Sequence, residues 1–295
     1  MISDQACGTA APAANLTLLF AVLLVADSLH FIFARALLPH LPAEMSSFLV
    51  LGIATVEVAA FQAARGNVGV GALRRHWPLF ATIGVLVAAS TVINYAAVAY
   101  VDPGTASLLG KTGVLFSLAL GILWLRERLR PSEVLGAGLA IVGVFLIGFQ
   151  PGDYLRLGSL MVLVSTFLYA LHTAVVKRHG EGIDFGDFFL YRVASIAFFL
   201  FLFAAARGQL VWPTPVAWLI AFIAGTVDVV ISRSLYYLSL RRMSMSIHTI
   251  ILTLSPVVTI LWALALFSET PSQISLIGGA LVVGGVALVT LRRRR

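Results

Sequence analysis

Apolar residues in this chain gather into stretches of about 20, the length a helix needs to cross roughly 30 Å of hydrocarbon. Ten stretches stand out, at 15–38, 43–64, 77–100, 104–125, 133–149, 155–177, 187–206, 215–239, 244–267 and 272–291. Between them lie short segments with turn chemistry, such as Leu38-Pro39-His40-Leu41-Pro42, Asp102-Pro103-Gly104, Gln150-Pro151-Gly152-Asp153 and Thr270-Pro271. The pattern predicts an all-α integral membrane protein of ten transmembrane helices, with loops averaging about nine residues and no room for a soluble catalytic domain. Met1 to Ala14 carries no basic n-region and no A-x-A-like site closes the apolar run that follows, so the first apolar stretch is expected to be a retained span.

The pattern also repeats. At a constant offset of 142 residues, Glu127, Gly136, Leu139, Gly143, Val144 and Leu146 match Glu269, Gly278, Leu281, Gly285, Val286 and Leu288. The same offset pairs His30 with His172, Arg35 with Lys177 and Tyr95 with Tyr237. The chain therefore divides into a first five-helix repeat, 1–150, and a second, 151–295. Five is odd, so the second repeat enters the bilayer from the opposite side. Inverted repeats of this kind are how many secondary transporters build a midplane site with alternating access.

Composition then explains where the charge sits. The chain is 60% hydrophobic and 11% charged, with 20 Lys plus Arg against 13 Asp plus Glu, a net +7. In a soluble protein that excess would suggest nucleic acid. Here fourteen of the cations lie in the tail and loops on the N-terminal side and three, Arg35, Arg156 and Arg207, on the other. By the positive-inside rule both termini are cytoplasmic, and the charge is a topology signal. No nucleic-acid surface is expected. Cys7 is the single cysteine, so no intramolecular disulfide or thiolate metal cluster is available, and no cofactor is implied. There is no G-x-x-x-x-G-K-[ST] loop, so ATP would have to act through another subunit.

The repeated motif of a Glu, a Gly nine residues on, a Leu three later and a Gly four later (Glu127, Gly136, Leu139, Gly143; Glu269, Gly278, Leu281, Gly285) resembles the drug/metabolite transporter superfamily in its ten-helix form. Pro256, thirteen residues before Glu269, belongs to the same resemblance. The first half departs with Val114 at the matching place, and Asp27-Ser28 stands where the family often has a Trp-Gly-like pair. Within the superfamily the sequence is most similar to bacterial aromatic amino-acid exporters. The resemblance implies the inner membrane, and a central cavity lined by spans one, three, four, six, eight and nine. It also implies that Glu127 and Glu269 fix the turn into the fifth helix of each repeat.

Ionisable groups inside spans are expensive and mark functional candidates: Asp27, Glu57, Lys111, Asp228 and Arg233, with Arg192 near a span start. Helical spacing puts Asp228, Ser232, Tyr236 and Ser239 on one face of span eight, with Ser90 and Asn94 on the repeat-related face of span three. Ser165, Tyr169 and His172 share a face of span six, matched by Asp27 and His30 in span one; span four offers Ser107 and Lys111, span nine Thr249 and Thr253. Serines and threonines in such stripes often serve only helix packing. Lys111 is the expected holder of a substrate carboxylate, with Asp27 or Asp228 facing an ammonium; an internal Lys–Asp ion pair is the alternative. Tyr95, Tyr169, Tyr236 and Tyr237 are the aromatic wall. His30 and His172 titrate near neutral pH and are candidates for proton relay or for simple packing. Glu57 has no assignment. Gly136, Gly138, Gly143, Gly278, Gly279, Gly284 and Gly285 read as close-packing surfaces.

The leading function is a secondary transporter exporting amino acids, aromatic ones first, through a cavity in the bilayer, as monomer or homodimer. A multidrug or cationic-compound exporter of the same fold is the nearest rival. A phosphorylated-metabolite antiporter would want clustered cations where Lys111 stands almost alone. An intramembrane aspartyl protease using Asp27 and Asp228 is the most distant reading.

Overall fold

The computed structural model describes residues 13–66, 69–125, 131–148, 153–180, 182–236 and 252–291, all helical apart from their connections. Span one is α1 (Ala13–Ser28) and α2 (His30–Leu37); span two is α3 (Ala43–Ala64); span three is α4 (Gly71–Ala97). Span four is split into α5 (Pro103–Gly110) and α6 (Gly113–Leu125), and span five is α7 (Pro131–Gly148). In the second half, α8 (Asp153–His179) and α9 (Phe185–Ala206) form spans six and seven. Span eight begins as α10 (Pro215–Ala224), passes through a π-helical segment, Gly225–Ile231, and is described as far as Tyr236. Spans nine and ten end in α11 (Ser255–Phe267) and α12 (Gln273–Leu291). Glu127, Tyr237 and Thr249 lie outside the described residues.

Helix starts follow local chemistry. Asp102 caps α5 by accepting from Thr105 N at 2.8 Å, with Pro103 in the first turn. Thr214 and Pro215 open α10 in the same way, Thr214 Oγ1 accepting from Ala217 N at 3.2 Å. Span three starts six residues before the apolar pattern does, because Gly71 to Arg75 coil ahead of a kink at His76 (φ −119°, ψ 25°), two residues before Pro78.

The breaks obey the repeat. Span four loses its helix at Lys111-Thr112 and span nine at Thr253-Leu254, positions related by the 142-residue offset. Pro256, in the first turn of α11, has no N–H to continue the ladder, which accounts for the second break. In the first, Gly110 and Gly113 flank the gap, and Lys111 N and Thr112 N reach back only three residues, to Leu108 O (3.2 Å) and Leu109 O (3.0 Å).

Packing also exchanges the halves. The contact of span three with span seven has its counterpart in span eight against span two, and that of span four with span six in span nine against span one. Spans five and ten meet backbone to backbone. A Cβ on Gly278 would lie 2.7 Å from Gly143 O, one on Gly285 would lie 2.7 Å from Ala140 N, and one on Gly143 would collide with Gly278 O. Gly279 instead receives the Leu108 side chain of span four. Gly138 and Gly284 face open space, contrary to their reading as packing surfaces, because periodicity does not separate an inward from an outward glycine. Large apolar side chains such as Val56, Phe198, Phe222 and Leu261 point outward, as a lipid-facing surface requires.

Candidate functional site

Three of the backbone irregularities carry charged side chains toward one another. Span one breaks at Leu29, whose N–H reaches only to Ala26 O at 3.3 Å. Asp27 closes α1 and His30 opens α2 on either side of the break. The Thr259 hydroxyl of α11 lies 2.9 Å from Ser28 O and 3.3 Å from Ser107 Oγ, so spans one, four and nine are tied at this level. Ser107 thus bridges helices, and so does Ser90, whose hydroxyl donates to Ser165 O at 2.9 Å across spans three and six.

Asp27 Oδ2 stands 3.7 Å from Lys111 Nζ, and Oδ1 stands 3.8 Å from Arg233 Nη1. Both separations exceed hydrogen-bond length, so the pairs attract without closing. These side chains keep 16%, 19% and 25% of their surface open although they lie well inside their spans. Asp228, 3% exposed, sits in the π segment. Its Oδ2 accepts from His30 Nδ1–H at 2.8 Å, while its Oδ1 has no partner. Beside them is Tyr95, 2% exposed, its ring edge-on to His30 at 5.9 Å and its hydroxyl also without a partner. Buried polar atoms left unpaired in a native fold call for an explanation, and a ligand group is one.

On span six, the Tyr169 hydroxyl accepts from Arg192 Nη2 at 3.3 Å, and the charge of Arg233 also acts on it. Tyr169 is 36% exposed among these neighbours. His172 is 5% exposed and spends its Nδ1–H on Tyr169 O, 2.8 Å away in its own helix. Tyr236 is half-buried and within reach of the Arg233 charge. Ser232 is fully buried and its hydroxyl has no partner; Asn94 Oδ1 likewise has none.

Together these contacts describe a helical bundle with a charged site in its interior. Matched against known proteins, residues 14–149 and again 156–291 fit one family. The chain belongs to the EamA-like transporter family. The "Probable terminal-alkyne amino-acid exporter" of Streptantibioticus cattleyicolor is 28% identical over 84% of this chain and 86% of its own. The "Aromatic amino acid exporter YddG" of Ancylobacter novellus is 27% identical over 79% of this chain and 82% of its own. A crystal structure with 21% identity superposes at a TM-score of 0.67, covering 96% of this chain and 99% of that one, and agrees in fold. As an EamA-like protein the chain is a multi-pass membrane transporter of small molecules, and it is not an enzyme.

Several members of this EamA-like site were not grouped from sequence. Arg233 and Arg192 join Lys111, so among the described residues the interior holds three cations against Asp27 and Asp228, where Lys111 was expected to stand almost alone. Glu57 Oε1 accepts from Thr226 Oγ1 at 2.7 Å and so braces the π segment from span two. Glu269, expected to fix the turn into span ten, pairs with Arg35 of span one, whose Nε lies 3.1 Å from Oε1. Arg35 Nη1 also donates to Val98 O at 2.9 Å, so this contact ties the ends of spans one, three and nine. The signal for it was present in sequence as the repeat-related pairs Arg35/Lys177 and Glu127/Glu269.

Proposed function

We propose that this chain exports amino acids, with aromatic ones as preferred cargo, from the cytoplasm across the bacterial inner membrane. Both termini are cytoplasmic, and the two repeats alternate in opening the central site to either side. The observation that supports the substrate is the spacing around Asp27. Lys111 and Arg233 stand at 3.7 and 3.8 Å, too far to be satisfied by Asp27 alone, and a substrate carboxylate fits among them with charge-assisted hydrogen bonds. Asp228 Oδ1 is the matching acceptor for an ammonium. Tyr95, Tyr169 and Tyr236 supply aromatic faces for the side chain. Exporters of amino acids among the relatives belong to the same substrate class.

Counterflow of labelled phenylalanine, tyrosine, tryptophan, threonine and methionine into proteoliposomes tests this reading. Aromatic substrates are expected to exchange fastest, and absence of flux for all five sinks it. A cationic-compound exporter of the same fold is disfavoured by the three interior cations, which would repel such a cargo.

A further inference from the structure

We propose that Asp228 and His30 are a proton-exchange site, at which the substrate ammonium and a proton on His30 compete for one carboxylate, so that export is driven by inward proton movement. The proposal rests on the reading of the cargo as an amino acid. Asp228 is buried at 3%, held on one oxygen by His30 at 2.8 Å and empty on the other. The His30 side chain keeps 24% of its surface open, so the ring that Asp228 holds is not sealed off.

The surrounding charges leave His30 as the exchanging group. From span one, Asp27 is engaged by Lys111 of span four and Arg233 of span eight. Span three brings the Tyr95 phenol to this point, and span nine the hydroxyls of Ser255 and Thr259. Span two contributes Glu57, occupied with Thr226 on the far side of the π segment. Arg35, further along α2, is taken by Glu269. Among the described residues, His30 is the one side chain hydrogen-bonded to Asp228, and an imidazole can both hold and release a proton.

The exchange balances charge at each step. Facing the cytoplasm, protonated His30 neutralises Asp228. An arriving ammonium brings a second positive charge to the same carboxylate, close to Arg233, and the imidazolium N–H bond breaks, its proton passing to water on the cytoplasmic side. Facing outward, the ammonium leaves and water outside returns a proton to His30. One zwitterion goes out and one proton comes in, with no other bond made or broken. Asp228 without either partner would be an unpaired buried charge, which disfavours reorientation of the empty carrier. The pair joins the break of span one to the π segment of span eight, so its occupancy bears on the two least regular pieces of backbone.

The test uses purified full-length protein in proteoliposomes with a trapped pH dye and labelled phenylalanine. The wild type is expected to move about one proton per substrate in the opposite direction, and His30→Gln to lower that ratio at least about tenfold and flatten the pH profile of counterflow between about pH 5 and 8. Wild-type counterflow without proton movement overturns the exchange while leaving the amino-acid reading intact. A proton ratio retained in His30→Gln overturns it equally. Should His30→Gln fail to insert, the wild-type ratio decides alone. No counterflow of any amino acid by the wild type removes both proposals.

Discussion

His30 and His172 hold the same place in the two halves, and each uses Nδ1 in a 2.8 Å hydrogen bond, yet one bonds a carboxylate across the bundle and the other a carbonyl of its own helix. The difference lies in the facing span. Under the 142-residue offset Asp228 corresponds to Leu86, so nothing acidic stands where His172 would look for a partner. Spans five and ten show the opposite behaviour: Gly143 and Gly285 are repeat mates and both sit where a Cβ would strike the neighbouring backbone. Breaks in spans four and nine likewise coincide under the offset, but one carries Lys111 and the other Thr253. The backbone is therefore duplicated, while the Asp228 carboxylate and the Lys111 ammonium each stand in one copy alone, opposite Leu86 and Thr253. The first suits the alternating access proposed above, and the second suits a single site with a fixed orientation.

This comparison is broken most severely at Asp228. Asp228→Asn keeps size and removes the charge that His30 and the proposed ammonium share, and amino-acid flux is expected to fall by about a hundredfold or more. His172→Gln, in the silent half, should change the proton-to-substrate ratio little. Equal losses in both variants, measured as initial counterflow at matched protein content, would mean that the halves are chemically equivalent after all. Next in size is Lys111→Thr, which gives span four the residue of span nine. Loss of one charge-assisted contact to a carboxylate is worth about 1.5–3 kcal/mol, or roughly a 10- to 150-fold rise in KM for phenylalanine. An unchanged KM would remove Lys111 from carboxylate binding.

The duplicated part was the legible part. Ten apolar stretches and one constant offset located the spans and the repeat, because bilayer thickness and inverted packing both write themselves as spacing. Pro256 marked the break in span nine for the same local reason. The site was harder. Arg233 escaped the helical stripe because the π segment turns by i→i+5, and this rotates Arg233 toward Asp27 although 3.6-residue periodicity places it off the face of Asp228 and Ser232. The break at Leu29 has no Gly or Pro beside it; its neighbour Ser28 O instead takes a hydrogen bond from Thr259, 231 residues away. Glu57 stayed unassigned for a similar reason, since its partner Thr226 is 169 residues distant.

Smaller effects test the symmetric seam. Gly143→Ala and Gly285→Ala each push a methyl group into facing backbone, and overpacking of this kind costs about 1–3 kcal/mol. The two variants should lower the thermal midpoint in detergent by similar amounts, whereas Gly138→Ala and Gly284→Ala, with nothing within 4 Å, should leave it in place. A large loss in only one of the first pair would show that the seam is not a true two-fold contact.

The smallest expected effect lies at Asp102, in the loop ahead of α5, where no described counterpart exists because residue 244 lies outside the described segments. Burial pushes the Asp102 carboxyl above the ordinary carboxylate range; its hydrogen bonds to Thr105 pull the other way, and the charge of Glu269 adds to the rise. An acid raised in the folded state binds its proton more tightly there than in the unfolded chain. Its contribution is therefore most favourable below about pH 4 and is lost as pH climbs through the raised value. Asp102→Asn keeps an N-cap acceptor without the charge, so at neutral pH its midpoint should equal or slightly exceed the wild type, with the advantage vanishing in acid. Asp102→Ala loses the cap at every pH, at a cost of about 1 kcal/mol. If the Asn variant were as unstable as the Ala variant at pH 7, the ionised carboxylate would be the favourable form, and the opening of span four would depend on charge as well as on the cap.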